Sequence, residues 1–224
     1  MSWLAVCAFL IAVVAMPAAS RAQSAPSLAT GVAPATTPGR AVLDQFAAAW
    51  ATVTAYTATI TVAERKAAQL QNIVLDYTFR KPTSVTVHVN AGPNAGVTMV
   101  WDGGTTIVAH RGSGFAALFK KTLSLHDPQA TTIRGSSIDQ LSFGAILVHA
   151  QQEAGSISET APSTVNGVSV VAVTLVSAEP TTNTGLTREV VALSTSTHLP
   201  VQVLGYDGPT LVRQIDFSNV ILQR

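Results

Sequence analysis

Apolar and polar positions alternate along most of this chain with one of two periods, and the period names the element. Val42, Phe46, Trp50 and Val53 recur at spacings of four, four and three, one face of a helix. Thr37 at the N-cap and Pro38 at N1 would open that helix, and it should end near Thr54, where the period drops to two. Tyr56, Ala58, Ile60 and Val62 then alternate with Thr57, Thr59 and Thr61, the pattern of a strand with one face buried and a threonine-rich face wet. The same alternation returns in Ile73 to Phe79, in Val85 to Val89, in Val97, Met99 and Trp101, and in Thr105 to His110. Arg80-Lys81-Pro82-Thr83 turns the chain, and Asp102-Gly103-Gly104 is a hairpin turn whose glycines take positive φ without strain.

A second helix is predicted mid-chain. Ser137 and Gln140 have capping-box spacing, and Ile138, Leu141, Ala145 and Val148 make an apolar stripe running through His149. Strands resume at Val168–Val176, Arg188–Ser194, Val201–Tyr206 and Leu211–Leu222, with Asn166-Gly167 and Asp207-Gly208 as turns. The pattern predicts an α+β fold of about nine to eleven strands, antiparallel because the connections are short. The helices should pack against one face of a single curved sheet. A sheet this long curls, and a curled sheet encloses either a packed core or a cavity.

The first 37 residues have neither pattern. Trp3 to Met16 is apolar and uncharged, shorter than the roughly 20 residues of a membrane span and suited to the apolar region of a signal peptide. Pro17 breaks it, and Ser20-Arg21-Ala22 sets small residues for a cut between Ala22 and Gln23. A basic start is missing, and the same segment, if retained, would be an N-terminal anchor. Leu4-Ala5-Val6-Cys7 loosely resembles a lipidation box, but the apolar run follows the cysteine instead of preceding it, so lipidation is not expected. Residues 23–37 are rich in Pro, Ala, Ser and Thr and read as a tether. One domain, 38–224, remains, and a periplasmic or secreted location is expected.

Composition narrows the function. Of 224 residues only 11% are charged, against about 25% in an average domain, and the formal net charge is +1. That balance excludes a nucleic-acid binder built on a basic surface. The lone cysteine falls in the apolar leader, so the mature chain would have no disulfide, thiol catalyst or thiolate metal site.

At this point particular residues resemble a known group. Phe79-Arg80-Lys81-Pro82 followed by alternating valines resembles the strand–turn–strand of the LolA-like superfamily, which includes periplasmic lipoprotein carriers. Asp102-Gly103 before Thr105, and Leu199-Pro200, Asp207-Gly208 and Phe217 to Val220, resemble its later hairpins in order and spacing. Thr122 to Ala150, with Asp127-Pro128, is similar to an uncharacterised bacterial family in or near that superfamily. The resemblance implies an unclosed barrel whose concave side is covered by helices and holds acyl chains.

No catalytic constellation stands out. The five histidines (His88, His110, His126, His149 and His198) include no metal-ligand spacing and read as surface or turn residues. Gly112-Ser113-Gly114 fails the GxSxG spacing, no phosphate loop is present, and Asp76 and Asp102 face away from apolar neighbours. Lys120-Lys121 and Arg80-Lys81 are short basic pairs that read as solvated turn charges, the alternative being contact with anionic lipid headgroups. Neither an enzyme nor a cofactor is therefore expected. Trp50, Tyr77, Phe79, Met99 and Trp101 are the candidate lining of an apolar pocket. They would bind a lipid acyl chain or a lipidated protein, since each buried CH₂ gains about 0.8 kcal/mol. The alternatives are a structural or sensory module that binds another envelope protein through an edge strand, and a secreted hydrolase.

Overall fold

The structure is a computed structural model and describes residues 38–224 except 113, 115–117 and 154–156. The expected signal segment, tether, Thr37 cap and Ser113 lie outside the described residues. Helix α1 (Pro38–Ala51) precedes six strands: β1 (Ala55–Lys66), β2 (Gln69–Arg80), β3 (Ser84–Ala91), β4 (Val97–Asp102), β5 (Thr106–Arg111) and β6 (Lys120–Ser124). A 3₁₀ turn (Ile138–Leu141) and helix α2 (Phe143–Gln152) follow. The remaining strands are β7 (Ile157–Val165), β8 (Val168–Val176), β9 (Arg188–Ser194), β10 (Pro200–Asp207) and β11 (Thr210–Gln223).

All eleven strands form one sheet in the order β6-β5-β4-β3-β2-β1-β11-β10-β9-β8-β7. Two meanders are joined where β1 pairs antiparallel with β11, and the edges β6 and β7 do not meet, so the barrel stays open. Period-two patterning sets the inner face. Tyr56, Ala58, Ile60 and Val62 of β1 are buried, as are Leu75, Tyr77 and Phe79 of β2 and Val85, Val87 and Val89 of β3. Leu43 and Phe46 of α1 and Phe143, Ile146, Leu147 and Ala150 of α2 join the same core. A smaller cluster, Val170, Ala172, Ala192 and Val201, packs separately. Among the described residues no helix is long and apolar enough to cross a membrane.

Three local expectations are corrected. The predicted mid-chain helix is two pieces: Ser142 is extended (ψ 146°), and its side chain accepts a hydrogen bond from Ala145 N at 3.1 Å, starting α2 afresh. The restart shifts the helical phase, so Val148 is 49% exposed, and Phe143, Ile146, Leu147 and Ala150 form the buried face instead. Lys81 is no free turn charge: its Nζ donates to Trp50 O at 2.7 Å, satisfying a carbonyl at the end of α1, and lies 4.5 Å from the Trp50 ring centroid. Lys120 and Lys121 begin strand β6 rather than a turn.

Helix α2 is tied to the sheet by hydroxyls. Tyr56 Oη accepts from Phe143 N at 3.2 Å, taking one of the free N–H groups in the first turn of α2. Tyr77 Oη donates to Ile138 O at 3.1 Å. Gly144 lets α2 approach α1, because a Cβ there would sit 3.0 Å from the Trp50 ring.

Candidate functional site

Strand register stacks inward side chains in levels. Glu64 of β1 is opposite Arg213, Arg213 is opposite Gly205, and Gly205 is opposite Glu189. Two residues further in, Val62, Ile215, Val203 and Val191 share a level. Beyond them Ile60 is opposite Phe217, whose ring centroid lies 5.2 Å from that of Phe143. The 3₁₀ turn and α2 cover these levels, leaving a cavity of about 460 Å³. That volume lies within the range of small-molecule sites, about 300–1,000 Å³. Leu141, Ile146, Val191, Val203 and Ile215 make its aliphatic wall. Exposed Gln152, Glu179 and Thr182 stand at its rim. The cavity therefore passes from a polar rim, past the Glu189–Arg213 level, to an aliphatic interior backed by aromatic rings.

Glu189 is 2% exposed and would be costly to bury alone. His149 Nε2 and the Arg213 guanidinium bond its two oxygens, and Asn183 Nδ2 donates to it at 3.1 Å. Burial pushes the Glu189 carboxyl up, but the His149 hydrogen bond and the charges of Arg213 and His149 outweigh it and hold the pKa at about 2. The same hydrogen bond raises His149, against the opposing effect of its own burial. Arg213 Nε and Thr184 Oγ1, both on residues lining the cavity, are buried without a hydrogen-bond partner. His149 Nε2 is already taken by Glu189, and no hydroxyl bonds His149 among the described residues. Among the described residues no group of three or more His, Cys, Asp or Glu side chains is placed to hold a metal ion.

The five residues expected from sequence occupy different places. Trp50, Tyr77 and Phe79 belong to a packed aromatic cluster with Tyr56 and Phe143, in which the Tyr56 and Phe143 rings stack at 4.3 Å. Trp101 is half-buried and donates from Nε1 to Gly104 O at 2.6 Å. Met99 lines a smaller hollow of about 40 Å³. Leu141 and Ser136 line both hollows and so stand between them. None of the five lines the 460 Å³ cavity.

Sequence reasoning missed Glu189, Arg213 and His149, although a signal was present. Glu189 shares the strand phase of Val191 and Leu193, and Arg213 that of Ile215 and Phe217. A charge on the apolar phase of a strand marks a buried ion pair or a site. His149, expected at the surface or in a turn, is half-exposed and bonded to Glu189.

Solved structures of known proteins are similar to this fold. An uncharacterized conserved protein from Thermus thermophilus shares the fold with a TM-score of 0.50 at 8% identity, covering 83% of this chain and 87% of that one. A LolA superfamily protein from Nitrosomonas europaea is similar at a TM-score of 0.39 and 10% identity, over 85% of this chain and 95% of that one. The Mycobacterium tuberculosis lipoprotein LppX gives 0.43 and 12%, over 80% and 93%. At these identities the likeness is one of fold. No family model and no curated protein matches the chain.

Proposed function

We propose that this protein is a non-enzymatic carrier of the cell envelope that takes an acyl chain into the cavity between the sheet and α2. One observation carries the reading: an aliphatic pocket walled by Leu141, Ile146, Val191, Val203 and Ile215 beneath a rim of exposed Gln152, Glu179 and Thr182. An amphiphile would match that polarity. Its tail would gain about 0.8 kcal/mol per buried CH₂, and its head would lie at the polar rim of Gln152, Glu179 and Thr182. In this reading Trp50, Tyr77 and Phe79 belong to the packed aromatic backing of the pocket, and Trp101 stands apart on β4. Met99 would receive the end of a longer chain that displaces Leu141. The export leader expected from the sequence supports a periplasmic or secreted site of action.

Binding of another envelope protein through an edge strand gains less support. Edge strand β6 has five residues and carries Lys120 and Lys121, and edge strand β7 contains Pro162 at a register shift. Such features oppose strand addition. For a hydrolase, the hydrogen bonds of the His149 cluster provide no nucleophile.

The test is displacement of a fluorescent fatty acid from protein recovered from a bacterial periplasm, together with extraction of any co-purified lipid. Val203→Trp should fill the aliphatic level and weaken probe binding at least about tenfold, the equivalent of losing roughly two buried methylenes. A protein that carries no lipid and ignores the probe would overturn the reading.

A further inference from the structure

The three most exposed large hydrophobic residues described are Leu70 (68%), Leu118 (71%) and Phe119 (84%). They lie at one end of the sheet. Antiparallel pairing of Lys66 with Gln69, and of His110 with Lys120, brings the β1–β2 turn and the start of β6 to the same end of the meander. Each apolar tip has basic neighbours: Arg65 and Lys66 beside Leu70, and Arg111, Lys120 and Lys121 beside Leu118 and Phe119. All five cations are exposed, and among the described residues none is in an ion pair. The sequence has no Asp or Glu from Arg65 to Leu75 or from Gly103 to His126. On this half exposed Asp76 shares the register level of Lys120 but stands four strands away on β2, and exposed Glu179 and Asp207 belong to the β8–β9 and β10–β11 connections on the other half of the sheet.

We propose that this end of the β1–β6 half docks on an anionic lipid bilayer, with Leu70, Leu118 and Phe119 entering the headgroup region and the five cations meeting lipid phosphates. Two apolar tips separated by the interval from β2 to the start of β6, about 19 Å at strand spacing, fit a deformable surface better than one protein groove. Apolar insertion inside a basic collar is the chemistry of interfacial anchoring, in which long cationic side chains reach the headgroups while their stems stay apolar. The rim residue Glu179 lies in the β8–β9 connection at this same end, so docking would bring the mouth of the cavity near the bilayer. The docking surface shares no residue with the cavity and stands whether or not an acyl chain is carried.

Co-sedimentation of the exported protein with vesicles of phosphatidylcholine, with and without phosphatidylglycerol, tests the proposal. Wild-type protein should bind the anionic vesicles and be released as salt rises to about 0.5 M. The double variant K120E/K121E should weaken binding about thirtyfold or more, because each near-surface cation contributes a factor of about five. Leu118→Ser with Phe119→Ser should also weaken it, even at low salt. An apolar leader, if retained, is common to all forms, so the differences report the patch. Equal binding by wild type and both variants, or no preference for phosphatidylglycerol, would overturn the proposal. So would wild-type dimers that the serine variant abolishes, because the patch would then be a self-contact. Fatty-acid displacement in solution should be unchanged in K120E/K121E, which separates failure of docking from failure of the carrier reading.

Discussion

Glu189 shows how one residue on the wrong phase of a strand shapes a site. Its carboxylate stands where the alternation of β9 calls for an apolar side chain, and three donors make that tolerable. The linkage has a definite sign. Glu189 is held at about 2 against an ordinary 4.5, so its stabilisation is fully present above pH 4.5 and lost as pH falls toward 2. His149 is raised from 6.5, so its contribution is fully present below pH 6.5 and lost as pH rises through the raised value. Urea unfolding should therefore show greatest stability between pH 4.5 and 6.5, with the acid limb amounting to about 3 kcal/mol. Glu189→Gln should cost about 3 kcal/mol at pH 6 and flatten both limbs. A variant with an unchanged pH profile would show that the network does not couple to folding. The position of Glu189 on the apolar phase was legible in the sequence. Its partners were not, because His149 comes from α2 and Arg213 from β11, and only packing brings them to β9.

At the scale of elements, the strands with one buried face were legible and the edges were not. Nine strands follow from alternation, because each must hide every second side chain. Strands β6 and β7 escape it: all but one residue of Lys120–Ser124 and most of Ile157–Val165 are exposed, so neither has an apolar phase to read. The mid-chain helix was misread for a local reason. Ser142 is polar and short enough to be a cap, and it ends one helical piece and begins the next. Ser142→Ala should destabilise the protein by about 1 kcal/mol and lower Tm by about 2–4 °C. A calorimetric scan identical to that of the wild type would show that the cap contributes nothing. Because α2 is the roof of the cavity, the same variant should also loosen fatty-acid binding.

For the whole molecule, the open sheet determines where space remains. Aromatic rings from β1, β2, β11, α1 and α2 fill the middle of the concave side, and the gap under α2 falls toward the end where Glu189 and Arg213 replace apolar side chains, while a second hollow of about 430 Å³ lies toward the opposite end beside Ser194, Pro200 and Phe217. A ligand that enters this gap and binds only the folded state must stabilise it. At a hundredfold excess over Kd the gain is about 2.7 kcal/mol, worth roughly 5–10 °C in Tm for a domain of this size. Long-chain fatty acids or lysolipids should raise Tm by that order, and Val203→Trp should abolish the shift. A wild-type Tm independent of every amphiphile would argue against an acyl site.

The α+β class, the antiparallel meander and the inner face of most strands were readable from the chain alone, because those depend on periodicity and turn chemistry between near neighbours. An interior rich in aromatic and aliphatic groups was readable too. Where those groups close up and where they leave a hollow was decided by the tertiary structure. Trp50, Tyr77 and Phe79 pack with Tyr56 and Phe143, contributed by segments up to 93 residues apart, while the cavity opens among Leu141, Val191, Val203 and Ile215. Alternation records which side of a strand is buried. The volume left between sheet and helix depends on how far α2 stands from the sheet, a distance set by the Tyr56 hydroxyl and the restart at Ser142, while Gly144 lets α2 close on α1.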